Sequence, residues 1–336
     1  MKIPPFYTII PEILKLLSQI DTNRMLLASY DIPSLVKEKI QRVSLLKSSL
    51  FSARIEGNTL QMDDISYTSD QQKKKEVFNL LDAAKWLDAN LKARGEINKE
   101  TILGFHKKVM KNLGPAGFFR IESSAIFNMA GIAVYMAPPP AQVAGLLNSL
   151  LEYANSEGEN FPLITAFITH LVFEKIHPFL DGNGRVGRLL INAVLKRQGY
   201  DFGFFIPFEE YLDAHKEEYY YHLDNGLQET NNYLLFMLQS FFEQTQSIKD
   251  IIFHELKKEK EVLLLPPRQE EIYNIIKDHR MVSFDFIKRR FLKIPARTLR
   301  YDLKKMQEKD CIVKIGGTKG AFYSPLPESP AILWRG

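Results

Sequence analysis

Between residues 177 and 188 the chain reads His177-Pro178-Phe179-Leu180-Asp181-Gly182-Asn183-Gly184-Arg185-Val186-Gly187-Arg188. This short stretch holds an imidazole, a carboxylate, an asparagine between two glycines, and two arginines. An imidazole with an ordinary pKa of about 6.5 can take the proton of a hydroxyl near neutral pH. Pro178 disfavours helix at the residue before it, so the helix expected from Phe161 should end at His177 and present the ring at a helix-to-loop junction. Gly182 and Gly184 can take backbone conformations that other residues resist. Around Asn183 they would let successive N–H groups point into one anion-binding concavity. The helix expected over 186–198 follows at once, and its free N–H groups and dipole favour a phosphate at that end. Arg185 and Arg188, three residues apart, share a helix face and can each offer a planar fork to phosphate oxygens. Asp181, beside the concavity, is placed to hold an Mg²⁺ ion that also binds phosphates. The chemistry these residues point to is the binding of a nucleotide polyphosphate next to a base.

The elements that must position this stretch follow from length and periodicity. A chain of 336 residues is about twice the usual single-domain size of roughly 150, so two domains are expected. Hydrophobic residues at 45% and charged residues at 25% exclude a wholly disordered chain. The single cysteine, Cys311, cannot form an internal disulfide and gives no reason to invoke secretion. No apolar run approaches the roughly 18 residues that span a bilayer, and no signal peptide is visible. A cytoplasmic protein without a membrane partner is therefore expected. The net charge of +4 says less than its distribution.

Residues 1–32 read as an irregular leader with one short helix near 11–19. Helical periodicity follows at about 34–57, 73–93, 99–112, 141–156, 161–176, 186–198, 208–228 and 231–258. The β-prone runs Ser123–Phe127 and Ile132–Ala137 predict a small hairpin over 123–137. The run Leu263-Leu264-Leu265-Pro266-Pro267 marks the best boundary. Beyond it, helices at 268–279, 283–290 and 296–309 and then a hairpin give the order of a winged helix-turn-helix. Nine basic residues face two acidic ones between Lys288 and Lys309, so the basic excess is concentrated there. The expected fold class is mainly α, with an N-terminal helical region (1–110), a helical core carrying the hairpin (111–260) and a winged-helix module (261–336).

The stretch at 177–188 resembles the Fic-domain signature, His-Pro-Phe-x-Asp/Glu-Gly-Asn-Gly-Arg-x-x-Arg, at every specified position. The resemblance spans roughly residues 30–245. It implies a helical bundle that transfers AMP from ATP to a Tyr, Ser or Thr hydroxyl of a target protein or of itself. It implies that His177 deprotonates that hydroxyl and that Asp181 holds Mg²⁺. Gly182, Asn183 and Gly184 would line the anion hole, Arg185 and Arg188 would bind the outer phosphates, and Phe179 would anchor the loop. The related Doc-like kinases carry an Ala and a Lys where this chain has Gly182 and Arg185, which favours AMP transfer over phosphate transfer here.

By the same resemblance the hairpin at 123–137 is a flap on which an extended target segment adds as a strand. Tyr220, in a Lys-x-x-Tyr-Tyr element beginning at Lys216, would face the nucleotide base. Asn225 and Asn232 could also reach it, although nothing singles them out. Ser52-x-x-x-Glu56-Gly57 is similar to the family's inhibitory motif in the class with an N-terminal inhibitory helix. Glu56 would pair with Arg188 and keep that arginine from the γ-phosphate. His106 and His170 sit among apolar helix positions and read as packed or locally hydrogen-bonded.

Ile294–Lys305 resembles the recognition helix of bacterial winged-helix regulators, with Arg297, Arg300 and Lys304 on roughly one face. The alternative function is thus a DNA-binding regulator whose Fic domain senses a nucleotide. A homodimer through the Fic core is a further implication of the resemblance, and the residues also allow removal of AMP with Glu56 orienting water.

Overall fold

A computed structural model of the chain describes residues 1–127, 133–263, 265–317 and 320–325. The middle of the hairpin expected over 123–137, residues 128–132, lies outside the described residues, as do 318–319 and the final part of the expected C-terminal module, 326–336. The chain divides into two compact units, Met1–Ile248 and Lys249–Gly336.

The first unit is helical apart from one small sheet. Helix α1 (Pro11–Ser29) is longer than the sequence suggests, and it is no irregular leader: Ile13, Leu17, Ile20 and Leu27 lie on one buried stripe. Pro11 does not interrupt it, because the first helical position needs no N–H. α2 (Ser34–Ile55), α3 (Asp64–Tyr67), α4 (Gln71–Asn90) and α5 (Lys99–Val109) follow. Asn98 caps α5, its side chain accepting from Thr101 N at 2.9 Å. Strands β1 (Ala125–Phe127) and β2 (Ala133–Met136) pair antiparallel, with Ile126 opposite Tyr135.

Then come α6 (Pro140–Asn155), α7 (Pro162–Ile176) and α8 (Asn183–Arg197). The helix expected over 208–228 is two, α9 (Glu209–Ala214) and α10 (Lys216–Asn225). His215 breaks it, leaving the helical region (φ −117°, ψ 41°) while its ring stacks on Tyr211 at 4.0 Å. α11 (Thr230–Leu263) closes the series; its residues up to Ile248 belong to this unit and those from Lys249 to the second.

α7 is the centre of this unit. Every residue from Leu163 to Ile176 is buried, as expected for a helix that is apolar nearly all round. It packs against α6 on one side and α8 on another. The α7–α8 contact is close because Gly187 has no side chain. A Cβ there would stand 2.1 Å from Glu174 Oε1 and 2.8 Å from His170 Nδ1.

The second unit contains α12 (Pro267–His279), β3 (Val282–Ser283), α13 (Phe284–Arg290), α14 (Ala296–Glu308), β4 (Ile312–Ile315) and β5 (Phe322–Pro325). The two-residue β3, not anticipated, pairs with β5, which gives an antiparallel order β3-β5-β4. Ile272, Ile276, Ile287, Leu299, Leu303 and Met306 form its core. Asp302 is also buried and paired, its Oδ2 accepting from Arg268 Nε at 2.6 Å. Among the described residues, no helix of either unit is long and apolar enough to cross a membrane.

Substituting Gly187→Ala forces a methyl group into the α7–α8 contact. It should destabilise the first unit by about 1–3 kcal/mol, read as a lower midpoint in thermal or urea unfolding.

Candidate active site

The loop between α7 and α8 is held from both ends. α7 stops at Ile176, and His177 takes the left-handed conformation (φ 49°, ψ 61°), which costs a non-glycine residue roughly 1–2 kcal/mol. Its Nδ1 lies 3.3 Å from the Glu174 carbonyl. A carbonyl only accepts, so this contact places the proton on Nδ1 and leaves the Nε2 lone pair for a proton from elsewhere. Burial lowers the pKa of His177, and the Arg120 and Lys175 charges add to this, while the Glu174 carbonyl and Glu56 act the other way. The ring is therefore neutral near pH 7.

Phe179 is fully buried and lies flat on His106, with ring centroids 3.7 Å apart and planes 6° apart. His106 Nδ1 accepts from Gly117 N at 2.9 Å, so its Nε2 donates to the Asp181 carbonyl at 3.0 Å. Burial keeps this ring neutral by lowering its pKa. The Asn183 side chain accepts from Phe179 N (2.9 Å) and donates to Phe179 O (2.8 Å), closing the loop on itself. α8 thus starts at Asn183, three residues earlier than the periodicity suggests. Gly182 caps it with φ 80°, and a Cβ there would meet Met110 Sδ at 2.9 Å.

Gly184 corrects the sequence reading. It lies in the first turn of α8 with no positive φ. What it needs is space: a Cβ there would be 2.3 Å from Glu56 Oε1 and 3.0 Å from Arg188 Nη1.

The two arginines part company. Arg185 Nη2 donates to Asp181 Oδ1 at 2.8 Å. Arg188, only 1% exposed, reaches back to α2. Its Nε donates to Ser52 Oγ (2.9 Å), and its Nη2 donates to Ser52 O (2.9 Å) and Glu56 Oε1 (2.8 Å). Burial works against the guanidinium charge, and the Glu56 carboxylate together with Tyr219 and Tyr220 more than offsets it.

The other acids near Arg188 are neutral at pH 7. Burial pushes both Glu174 and Glu209 up to about 8; Arg188 only partly opposes this, and for Glu209 hydrogen bonds from its own backbone and the Ser48 side chain oppose it more. His170 is held neutral by burial and by Arg188, its pKa lowered to about 3. Its Nδ1 and Glu174 Oε1 face each other at 3.8 Å, and neither has a hydrogen-bond partner among the described residues. His170 Nε2 lies 2.9 Å from the Tyr219 hydroxyl.

α2 is clamped onto α9 and α10. Lys47 pairs with Glu210 (2.9 Å) and Arg54 with Asp213 (2.9 Å). The Tyr220 hydroxyl donates to Ile55 O (3.0 Å), so this ring stands at the C-terminal end of α2, beside the Glu56–Arg188 pair. Asn225 and Asn232 make only local hydrogen bonds, to Tyr221 O and Glu229 Oε2. The structure thus brings together His177, Asp181, Gly182, Asn183, Gly184, Arg185, Arg188, Ser52, Glu56 and Tyr220. Sequence reasoning missed Arg120, Glu174 and Glu209 and gave His106 no part in holding the loop. Arg120 and Glu209 carry no spacing that marks them, and Glu174, four residues after His170, sits in an apolar helix where only packing gives it a role. A cavity of about 680 Å³ runs along β2, lined among others by Tyr135, Met136, Pro138, Phe6 and Leu146.

Asp181 fits an Mg²⁺ ligand. Its side chain is 67% exposed, Oδ1 is taken by Gly182 N and Arg185, and Oδ2 has no protein partner among the described residues. Among those residues no group of three or more His, Cys, Asp or Glu side chains could hold a metal. One carboxylate suits Mg²⁺ only if phosphates supply further oxygens.

Residues 96–195 match the model of the Fic/DOC family. Over 197 residues the chain is 27% identical to the protein adenylyltransferase Fic of Drosophila willistoni, covering 55% of this chain and 38% of that protein. It is equally similar, 27% over 198 residues, to the protein adenylyltransferase Fic of Nematostella vectensis, covering 55% and 45%. The chain thus spans about two fifths of the length of these relatives. In structure it is similar to a Fic family protein from Desulfovibrio desulfuricans G20, with a TM-score of 0.66 at 22% identity over 97% and 99% of the two chains. That likeness speaks to the fold.

The buried, protonated Glu174 has a consequence for stability. Its folded pKa of about 8 lies above the ordinary 4.5, so the folded state holds a proton that the unfolded state gives up. Stability is therefore lost as pH rises from about 4.5 through about 8. Glu174→Gln removes this dependence, and the gap between its unfolding midpoint and that of the wild type should move in favour of the variant between pH 5 and pH 8.

Proposed function

We propose that the chain is a protein adenylyltransferase held in check by its own α2. One observation supports this best. A carboxylate, that of Glu56, already lies against Gly184 in the first turn of α8 and is gripped by Arg188. A helix N-terminus with a buried arginine beside it favours an anion, and the γ-phosphate of ATP is the anion whose place Glu56 would take. With Glu56 withdrawn, Arg188 can turn its fork to that phosphate. The N–H groups that open α8 then face the remaining phosphates.

In the transfer step a hydroxyl oxygen of the target forms a bond to the α-phosphorus. The bond from that phosphorus to the bridging oxygen breaks, and pyrophosphate leaves. The proton of the hydroxyl goes to His177 Nε2. When bound, Mg²⁺ on Asp181 supplies neutralisation of the phosphate charge. Catalysis of this kind rests on positioning and charge compensation, which a loop closed on itself through Asn183, Phe179 and His106 provides. Tyr220 lines the base side. The target segment lies in extended form along β2, beside the cavity that Tyr135 and Met136 help to line.

Glu56→Gly should raise self-labelling from α-labelled ATP and Mg²⁺ by roughly tenfold or more, the factor that about 1.4 kcal/mol of barrier lowering would bring. His177→Ala, in the same background, should abolish it. Equal labelling by wild type and Glu56→Gly removes the case for a brake.

A second reading concerns the other unit. Arg297, Arg300, Tyr301 and Lys304 are all exposed on α14, at spacings that put them on one face. Arg300 stands over the Phe284 ring at 4.4 Å. We infer that this face binds duplex nucleic acid through its phosphates, whether or not it reads sequence. The double variant Arg300→Ala with Lys304→Ala should weaken binding to a duplex and flatten the salt dependence of log K by roughly 0.9 for each phosphate that is no longer neutralised. An unchanged slope rules this face out.

A further inference from the structure

Arg120 is 3% exposed and lies in none of the helices or strands. Its main-chain N–H donates to Pro178 O at 2.9 Å. Its side chain reaches four more carbonyls in two places. Nε donates to His177 O at 2.7 Å and Nη2 to Ile176 O at 3.4 Å, both at the end of α7. Nη1 donates to Glu122 O at 2.8 Å and Nη2 also to Pro138 O at 2.5 Å, on the two sides of the stem that carries β1 and β2. The stem is closed above this point by Ala137 N donating to Ser124 O at 3.0 Å. One guanidinium therefore joins the backbone of the proposed base to both legs of the hairpin.

All of these side-chain acceptors are main-chain carbonyls. A buried guanidinium placed this way is a spacer of fixed shape, because its donors lie in one rigid plane. It also bears on a strained position. A left-handed non-glycine residue persists when its surroundings over-determine it, and His177 has its carbonyl, and those on either side, bonded to the same arginine. Turning His177 back to an ordinary conformation would break these bonds and re-aim the imidazole.

We propose that Arg120 is a positioning residue that locks His177 in its left-handed conformation and fixes it relative to the hairpin stem, so that the base and the strand proposed to receive a target segment hold one spacing. This rests on the adenylyltransferase reading for its consequence in catalysis. The contact itself does not depend on that reading. Lysine cannot replace the fork, since three donors on one nitrogen cannot reach both the end of α7 and the two legs of the stem. A second effect accompanies the first. Burial, and with it the Arg120 and Lys175 charges, favours the neutral imidazole, while the Glu174 carbonyl on α7 and Glu56 at the C-terminal cap of α2 oppose this. A neutral side chain at position 120 therefore raises the pKa of His177, whereas lysine keeps part of the effect.

The test uses the full chain with Glu56→Gly as parent and adds Arg120→Lys or Arg120→Met. Three quantities are measured: ATP affinity by calorimetry, the rate of self-labelling from α-labelled ATP across pH, and the titration of the His177 ring by NMR. Both variants should bind ATP within about twofold of the parent, because the phosphate-facing residues are untouched. Self-labelling should fall roughly 10- to 100-fold, the scale expected when a reacting group is misplaced by about an ångström. In Arg120→Met the acid limb of the rate profile and the His177 titration should both move to higher pH.

Unchanged labelling in both variants overturns the proposal. Loss of ATP binding in both overturns it as well, since Arg120 would then serve folding in general. If the parent itself labels nothing, the reading of the reaction fails instead. The NMR titration then still decides Arg120, because an unmoved His177 titration in Arg120→Met overturns its role.

Discussion

A guanidinium that is 1% exposed must have its charge answered by the protein, and Arg188 is the group on which this site turns. Removing a cation from water costs several kcal/mol that only good hydrogen bonds and an opposite charge recover. Here the bonds come from Ser52 on α2 and the charge from Glu56, the residue that caps the C-terminal end of that helix. The other acids near it, Glu174 and Glu209, are pushed towards the neutral form by burial. A carboxylate permanently ionised beside Arg188 would leave nothing for a phosphate to pair with. With those two neutral, the arginine has one anionic partner among the described residues, and that partner stands at the end of a separate helix. On the proposed reading this makes the anion exchangeable: Glu56 or a phosphate, but not both.

The same constraint explains two glycines that local sequence does not. Gly184 leaves room for the Glu56 carboxylate at the start of α8, and Gly187 leaves room for Glu174 and His170 beneath it. Helix α8 is thus shaped along one side to accept acidic groups from α2 and α7. The loop before it is rigid for a different reason. Phe179 is pinned by His106, the Asp181 carbonyl by the same ring, and both main-chain groups of Phe179 by Asn183. Donors fixed before a ligand arrives need not be reorganised during the reaction, which is what stabilisation of developing charge requires.

The second unit shows how burial can change the meaning of a charge. Asp302 is one of only two acidic residues in the basic stretch from Lys288 to Lys309. It is buried against Arg268 and Gln269. The exposed side of α14 carrying Arg297, Arg300 and Lys304 therefore has one acid fewer than the sequence count suggests, the other being Glu308, 4.0 Å from Lys304.

By itself the sequence determined where the candidate loop at 177–188 lies and most of the helix order. That chemistry lies in consecutive positions, and Pro178 and Gly182 stop and start helices through their own backbone preferences, which need no distant partner. The pairing of Glu56 with Arg188 was legible only through resemblance to a family motif, because 132 residues separate the two. Tertiary structure alone decided the rest. It turned the apparent leader into helix α1 with one buried stripe, split the helix at His215, and made Gly184 a matter of space. It gave Arg120, His106 and Glu174 their places. Each of those outcomes depends on which atoms from remote segments come within a few ångströms, and a distance set by packing leaves no period or spacing in the chain.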